Sequence, residues 1–232
     1  MIVAALYDVH GNLPALEAVL AELEGVGPDL LVFGGDVAAG GLPGGTVDLV
    51  RSLDRARFVR GNCERYMLGG EGGPLTGWSG EQLDEAQRAF LGSFDANVAL
   101  DGVLYCHATP DDDEPFVTIL TPDDVAAETI GPVDQATVVI GHSHTQFDRR
   151  VGAVRLVNAG SVGMPCEDAP GAYWALVRDG EAELRRTDYD RNAAAERIRA
   201  GGWPDAEDWI AANLLSVPSP REHAEHLEAR GA

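Results

Sequence analysis

The chain has 232 residues, is 45% hydrophobic, and carries a formal net charge of −21; all 17 of its basic residues are arginine. That length and composition fit one globular domain, or one domain with a tail, and exclude neither a sizeable core nor an enzyme. They do argue against bulk nucleic-acid or anionic-membrane partners, which so acidic a surface repels at long range, and any phosphate ligand then needs a local source of positive charge.

No run of about 18 apolar residues is present, so no transmembrane helix is expected. Three cysteines without framework spacing read as reduced thiols in a cytoplasmic protein. The opening "MIVAALYDVHGN" turns polar by Asp8 and has no basic flank, which argues for a first strand rather than a signal peptide.

In chain order, residues 2–7 are the first predicted strand. Residues 12–24 follow as a helix with Asn12 as N-cap, Pro14 in the first turn, and Leu16, Val19, Leu20 and Leu23 on one face. Residues 30–33 are a second strand, 46–53 a helix, and 57–60 a third strand. Residues 69–78 are a Gly-rich loop. Ser79 and Gln82 form a capping box that predicts a helix to about Phe94. Residues 103–106, 138–140 and 155–157 are further strands, and 172–189 a hairpin around Asp179-Gly180. Two amphipathic helices and a polar tail finish the chain. The βα alternation early and the strand-rich stretch later predict an α/β fold with a mixed sheet or two packed sheets. No linker divides it, so 1–232 reads as one domain with 190–232 as a C-terminal helical extension.

Six apolar runs end in polar residues. "IVAALYDVHGN" delivers Asp8 and His10, "LLVFGGD" Asp36, and "ARFVRGNCE" Asn62, Cys63 and Glu64. "GVLYCHA" delivers His107, "TVVIGHSH" His142 and His144, and "VRLVNAGS" Asn158 and Ser161. Ligands of α/β sheets bind beyond the carboxyl ends of strands, so these groups are expected to converge in one cleft. Four of the six histidines are among them. Imidazole, carboxylate and amide oxygen suit borderline divalent metals. Asp8 and His10, two apart on an extended chain, point to one side, and His142 and His144 repeat the pattern. Seven donors exceed the needs of one tetrahedral site, whereas two ions bridged by a carboxylate use them all.

The order D-x-H, G-D, G-N-[HC]-[DE], H, G-H-x-H resembles the calcineurin-like metallophosphoesterases. "DVHGNLPALEAVL", "GNCE" and "NAGSVGMP" look like their small prokaryotic phosphodiesterase branch. The motifs run from Asp8 to about Pro165. This resemblance implies an α/β (α+β) fold, a four-layer αββα sandwich of two sheets flanked by helices. It implies two divalent ions (Mn, Fe, Zn or Ni, with Mn favoured), one held by Asp8, His10 and His144 and the other by Asn62, His107 and His142, with Asp36 bridging. It further implies hydrolysis of a small phosphodiester by a hydroxide shared between the ions. The alternatives are a phosphomonoesterase or protein phosphatase on the same site, and a non-catalytic metal-binding scaffold of the same fold, which should lose ligands and expose an apolar patch. A homo-oligomer is compatible with all three.

Some positions depart from the family pattern. Where many relatives place a leaving-group His after Gly-Asn, this chain has Cys63, a poor acid at a reference pKa of about 8.5. The expectation is a Cys63 that lines the cleft without ligating metal, or that simply fills space, and weak leaving-group protonation that favours diesters and aryl esters. Ala39 stands where many relatives have a second Asp. Glu64 is then expected to hold a neighbouring ligand His by a hydrogen bond. Arg60 resembles a phosphate-binding Arg; a structural ion pair is the alternative. "PDDDEP" at 110–115 is expected to be a solvated loop, with a rim of the cleft or a cation-recruiting loop as the alternative; His223 and His226 an exposed helix face, with a stray metal site as the alternative; and Trp203 and Trp209 packing for a terminal helix, onto the body or onto a second subunit.

Overall fold

Two five-stranded mixed sheets pack face to face, with helices on the outside of each, in a computed structural model that describes residues 1–231. The strands are β1 (Ile2–Leu6), β2 (Leu30–Phe33), β3 (Ala56–Phe58), β4 (Asn97–Leu100), β5 (Val103–Cys106), β6 (Thr137–Ile140), β7 (Phe147–Val151), β8 (Val154–Asn158), β9 (Ala172–Arg178) and β10 (Glu181–Thr187). One sheet has the order β10-β9-β1-β2-β3, and the other β4-β5-β6-β8-β7. In the first, β1, β2 and β3 are parallel. In the second, β5, β6 and β8 are parallel. Six parallel strands therefore supply the carboxyl ends, and antiparallel strands close the sheets' outer parts.

The strand sequences follow from burial on both faces. β1 is apolar throughout because Ala4 and Leu6 meet the helices while Val3, Ala5 and Tyr7 meet the other sheet. Val103, Tyr105, Val139 and Val157 answer them across the sandwich. The Tyr7 hydroxyl donates to the Val139 carbonyl at 2.9 Å, so this buried phenol is satisfied between the sheets.

The helices are α1 (Leu13–Val26), α2 (Pro43–Arg51), α3 (Asn62–Gly69), α4 (Pro74–Glu81), α5 (Glu85–Leu91), α6 (Asp123–Ile130), α7 (Arg191–Ala200), α8 (Ala206–Ile210) and α9 (Pro220–Gly231). The Asn12 side chain accepts from the Ala15 N–H to start α1, and Gly27 ends it in the left-handed region at φ 64°. Leu16, Val19 and Leu23 of α1, Val47 and Val50 of α2, and Leu91 of α5 cover the first sheet. Ala126 and Ile130 of α6 cover the second. No helix among the described residues is long and apolar enough to cross a membrane.

Several predicted elements are corrected. Ser79 starts no helix: its hydroxyl accepts from the Gly40 N–H at 3.0 Å, and α4 has already begun at Pro74. The next helix is capped reciprocally by Asp84 and Gln87, at 2.8 and 3.0 Å, so one predicted helix is two. α2 begins at Pro43, before the predicted 46, because Pro suits a first turn. β3 ends at Phe58, and residues after Gly61 turn directly into α3. The polar tail is helical as α9, reached through a single π-helical turn, Ala211–Leu215, that continues α8. Trp203 and Trp209 pack with Trp78, Ile198 and Leu214, which ties the C-terminal helices to the body. Asp190 caps α7 by accepting from the Ala193 N–H at 3.0 Å. Asp190→Ala is expected to cost about 1 kcal/mol, read as a melting-temperature drop of about 2–4 °C.

Candidate metal centre

The parallel strands of both sheets end on one side of the sandwich, and their loops carry the predicted donors there. Asp8 and His10 follow β1, Asp36 follows β2, and Asn62 opens α3 just beyond β3; His107 follows β5, and His142 and His144 follow β6. The pairs are not on extended chain. Asp8, His10, Asp36, His142 and His144 have φ between 50° and 63°, and they are five of the seven non-glycine residues with positive φ among the described residues. Left-handed backbone costs an L-residue about 1–2 kcal/mol, so the strain is concentrated at this cluster. The loops are tied together: His10 N–H donates to the Asp36 carbonyl at 2.8 Å, and Asp8 N–H to Gly35 at 3.1 Å.

Two triads result. Ligand atoms of Asp8, His10 and His144 lie within 4.8 Å of one another, and so do those of Asp36, His107 and His142. The Asp36 Oδ2 is 3.7 Å from His10 Nε2 and 3.7 Å from His107 Nε2, so it stands between the triads. Asn62 Oδ1 lies 3.0 Å from His107 Nε2. Each carboxylate has one oxygen anchored by backbone: Asp8 Oδ2 accepts from His142 N–H at 2.8 Å, and Asp36 Oδ1 from Cys63 N–H at 2.9 Å. Glycine is required at both anchors, since a Cβ on Gly141 would sit 2.4 Å from Asp8 Oδ2, and one on Gly61 would sit 2.2 Å from Asp36 Oδ1.

The imidazoles are oriented by carbonyls, which only accept. His10 Nδ1 donates to Ala39, His107 Nδ1 to Gly34, His144 Nδ1 to Met164, and His142 Nε2 to Glu114, at 2.8 to 3.0 Å. In the neutral rings the inward nitrogens therefore carry lone pairs. Two such pairs face each other at 3.1 Å, His10 with His144 and His107 with His142. The Asp8 Oδ1 is buried beside them with no hydrogen-bond donor. Facing lone pairs and an orphaned carboxylate oxygen are satisfied together by cations, so the residues present fit divalent metal. The protonation balance agrees. Burial would lower His107 and His144, but Asp36 and Asp8 outweigh it and raise them. Burial holds His10 below its ordinary value and His142 at about 4. The pocket demands positive charge, and protons can meet only part of the demand.

Other predicted residues fall elsewhere. Asn158 binds the Gly141 carbonyl and the Ser143 hydroxyl at 2.7 and 3.0 Å, and so braces the His142 loop from outside the cluster. The Ser161 hydroxyl donates to the Asp8 carbonyl at 2.7 Å. Glu64 holds no histidine, contrary to expectation. It is fully buried and accepts from the N–H groups of Asp36, Val37 and Gly61 at 2.8, 2.8 and 2.9 Å. Burial and the Asp36 charge raise it, against those three donors, which lower it. Cys63 is 7% exposed and packs in the core on one side, while its sulfur lies within 4.8 Å of donors on His10 and Asp36. Burial, then Asp36, push its thiol well up, which leaves it a protonated and poor ligand.

Arg60 Nε lies 4.0 Å from Asp113 Oδ2, and Arg60 lines a pocket shared with Arg65, His107 and Thr109. The acidic loop is more than a solvated one. Asp113 takes Arg65 through both Nε and Nη2, and the Glu114 carbonyl takes His142. Phe116 stacks on the His142 ring at 4.2 Å. His226 is exposed, but His223 is half-buried, its ring 6.2 Å from that of His144 and within 23° of parallel. The signal that places it is local. His223 directly precedes Ala224 and stands one turn before Leu227, both buried, so it borders the apolar stripe of α9.

Residues 1–179 match the calcineurin-like phosphoesterase superfamily domain. An uncharacterized protein of Methanocaldococcus jannaschii is 27% identical over 243 residues, covering 92% of this chain and 97% of that protein. The fold is similar to that of a metallophosphoesterase from Sphaerobacter thermophilus, with a TM-score of 0.76 and 24% identity over 91% of this chain and 99% of that one. It is also similar to a hypothetical protein from Pyrococcus horikoshii, with a TM-score of 0.78 and 18% identity over 90% and 97%.

Proposed function

Because the chain belongs to the calcineurin-like phosphoesterase superfamily, we propose that it is a dinuclear metal-dependent phosphoesterase acting on small phosphodiesters. The observation that carries this is the pair of triads joined at Asp36, whose imidazoles, once neutral, turn their inward nitrogens to the shared space as lone-pair donors. Asp8, His10 and His144 would hold one ion and Asn62, His107 and His142 the other, with Asp36 available to both. The donors are nitrogen and oxygen only, which suits Mn, Fe, Zn or Ni, with Mn favoured. When bound, two such ions polarise a phosphoryl group and activate water for attack.

The residues set the rest. Asp8 and Asp36 cancel two of the four positive charges that two dications bring, so the cleft stays cationic in a chain of net charge −21 and draws in a phosphate ester. Backbone anchors keep both carboxylates aimed, so little reorganisation accompanies binding. A thiol at Cys63 that stays protonated is a weak proton donor to a leaving group, which favours diesters and aryl esters.

Protein purified without chelator is expected to carry about two ions per chain by elemental analysis. Added Mn is expected to stimulate hydrolysis of bis(p-nitrophenyl) phosphate more than of p-nitrophenyl phosphate. Faster monoester turnover would move the reading to a phosphomonoesterase. Absent ions together with no Mn-stimulated turnover would leave a scaffold.

A further inference from the structure

We infer that His223, on the C-terminal helix α9, is a substrate-contacting residue that hydrogen-bonds the phosphate ester seated against Asp8, His10 and His144. This rests on the phosphoesterase reading above, but on residues outside the matched domain, which ends at 179.

The His223 ring lies alongside His144, centroids 6.2 Å apart. It belongs to none of the groups of metal donors within 4.8 Å of one another, so it stands one shell outside the ligands. A phosphoryl oxygen on an ion held by His144 lies about 2 Å from that ion. A group hydrogen-bonded to that oxygen lies roughly 3 Å farther out. A ring centred 6.2 Å from that of His144 and outside the donor groups is placed to reach such an oxygen. No hydrogen bond engages either ring nitrogen of His223 among the described residues, whereas all four inward imidazoles are committed to carbonyls.

α9 is also held firmly enough to place the ring. Ala224 and Leu227 are buried. The Glu228 carboxylate accepts from the hydroxyls of Thr118 and Thr121 at 2.7 and 2.5 Å. Those threonines follow Phe116, which stacks on His142. The helix is thus anchored on the wall of the second triad while its histidine faces the first. Ser219 accepts from the Glu222 N–H at 3.4 Å and donates to the Glu222 carboxylate at 2.6 Å, so the first turn that carries His223 is fastened at its start.

The test uses the full-length, Mn-loaded protein. His223→Phe keeps a flat ring beside His144 and removes both nitrogens; His223→Gln restores a hydrogen-bonding group; His223→Ala removes everything. The readouts are kcat and KM for bis(p-nitrophenyl) phosphate, the Kd of inorganic phosphate by calorimetry, Mn content, and melting temperature. We expect the Phe and Ala variants to lose about tenfold to a hundredfold in kcat/KM and in phosphate affinity. Gln is expected to recover part of that loss, with Mn content unchanged and melting temperatures within about 2 °C of wild type. A Phe variant equal to wild type, with only Ala impaired, would reduce His223 to a packing plate and overturn the inference. Loss of Mn in any of the variants would make it a prop of the ligands and overturn it equally. A wild type with no Mn-stimulated hydrolysis would bring down the phosphoesterase reading itself, an outcome distinct from active variants.

Discussion

Asp36→Ala is expected to lower phosphoesterase turnover by more than about a hundredfold and to leave fewer than two Mn ions per chain. Residues that merely orient metal ligands cost about 10- to 100-fold when replaced, and Asp36 does more than orient. Its Oδ2 lies equally far, 3.7 Å, from a histidine of each triad. Its other oxygen is fixed by Cys63 N–H, so the free oxygen cannot be aimed elsewhere. Removing the carboxylate takes away a charge that offsets two adjacent cations and leaves alanine in a left-handed backbone at φ 52°. Asp36→Asn keeps the shape and one oxygen, and should fall between wild type and alanine. Steady-state kinetics and elemental analysis on the same preparations check both. Full activity in Asp36→Ala would show that one ion suffices.

Glu64→Ala is expected to be the most destabilising of the substitutions considered. Three buried N–H groups, of Asp36, Val37 and Gly61, would lose their only listener, the Glu64 carboxylate. A buried donor without an acceptor costs about 1–3 kcal/mol. Three therefore cost at least about 3 kcal/mol, and the cavity adds to it. For a chain of this length the melting temperature should fall by at least about 6–12 °C, as measured by thermal unfolding. Activity should fall too, because two of those N–H groups, of Asp36 and Val37, belong to the loop that presents Asp36. Glu64→Gln should rescue only part of the loss, since its amide puts a donor among donors. A variant that melts like wild type would mean that water or a shifted loop replaces the carboxylate.

The donors were legible in the amino-acid order because parallel strands deliver their last residues to one edge, and each strand was short and apolar enough to mark where it ended. What the pattern hid was local. The reading of Asp8 and His10 as neighbours on an extended chain reached the right side of the sheet by the wrong geometry, since left-handed turns aim both inward. Asn62 follows closely on a predicted strand, yet it starts a helix, and the Gly61 N–H just before it is held by Glu64. Ser79 and Gln82 have the spacing of a capping box, but the Ser79 hydroxyl is claimed by Gly40, a contact 39 residues away that no window reveals. His223 escaped for the same reason: 79 residues separate it from His144 in the chain, and only the folded C-terminal helix brings the rings together.

Each triad draws donors from both sheets: Asp8 and His10 from one with His144 from the other, and Asp36 from one with His107 and His142 from the other. An ion seated in either acts as a rivet through two plates. Whatever binds only the native arrangement adds its binding free energy to cohesion, so metal supply would govern how long the molecule survives heat as well as how fast it works. A descendant that abandoned catalysis and shed these ligands would have to find new glue along the seam between the plates.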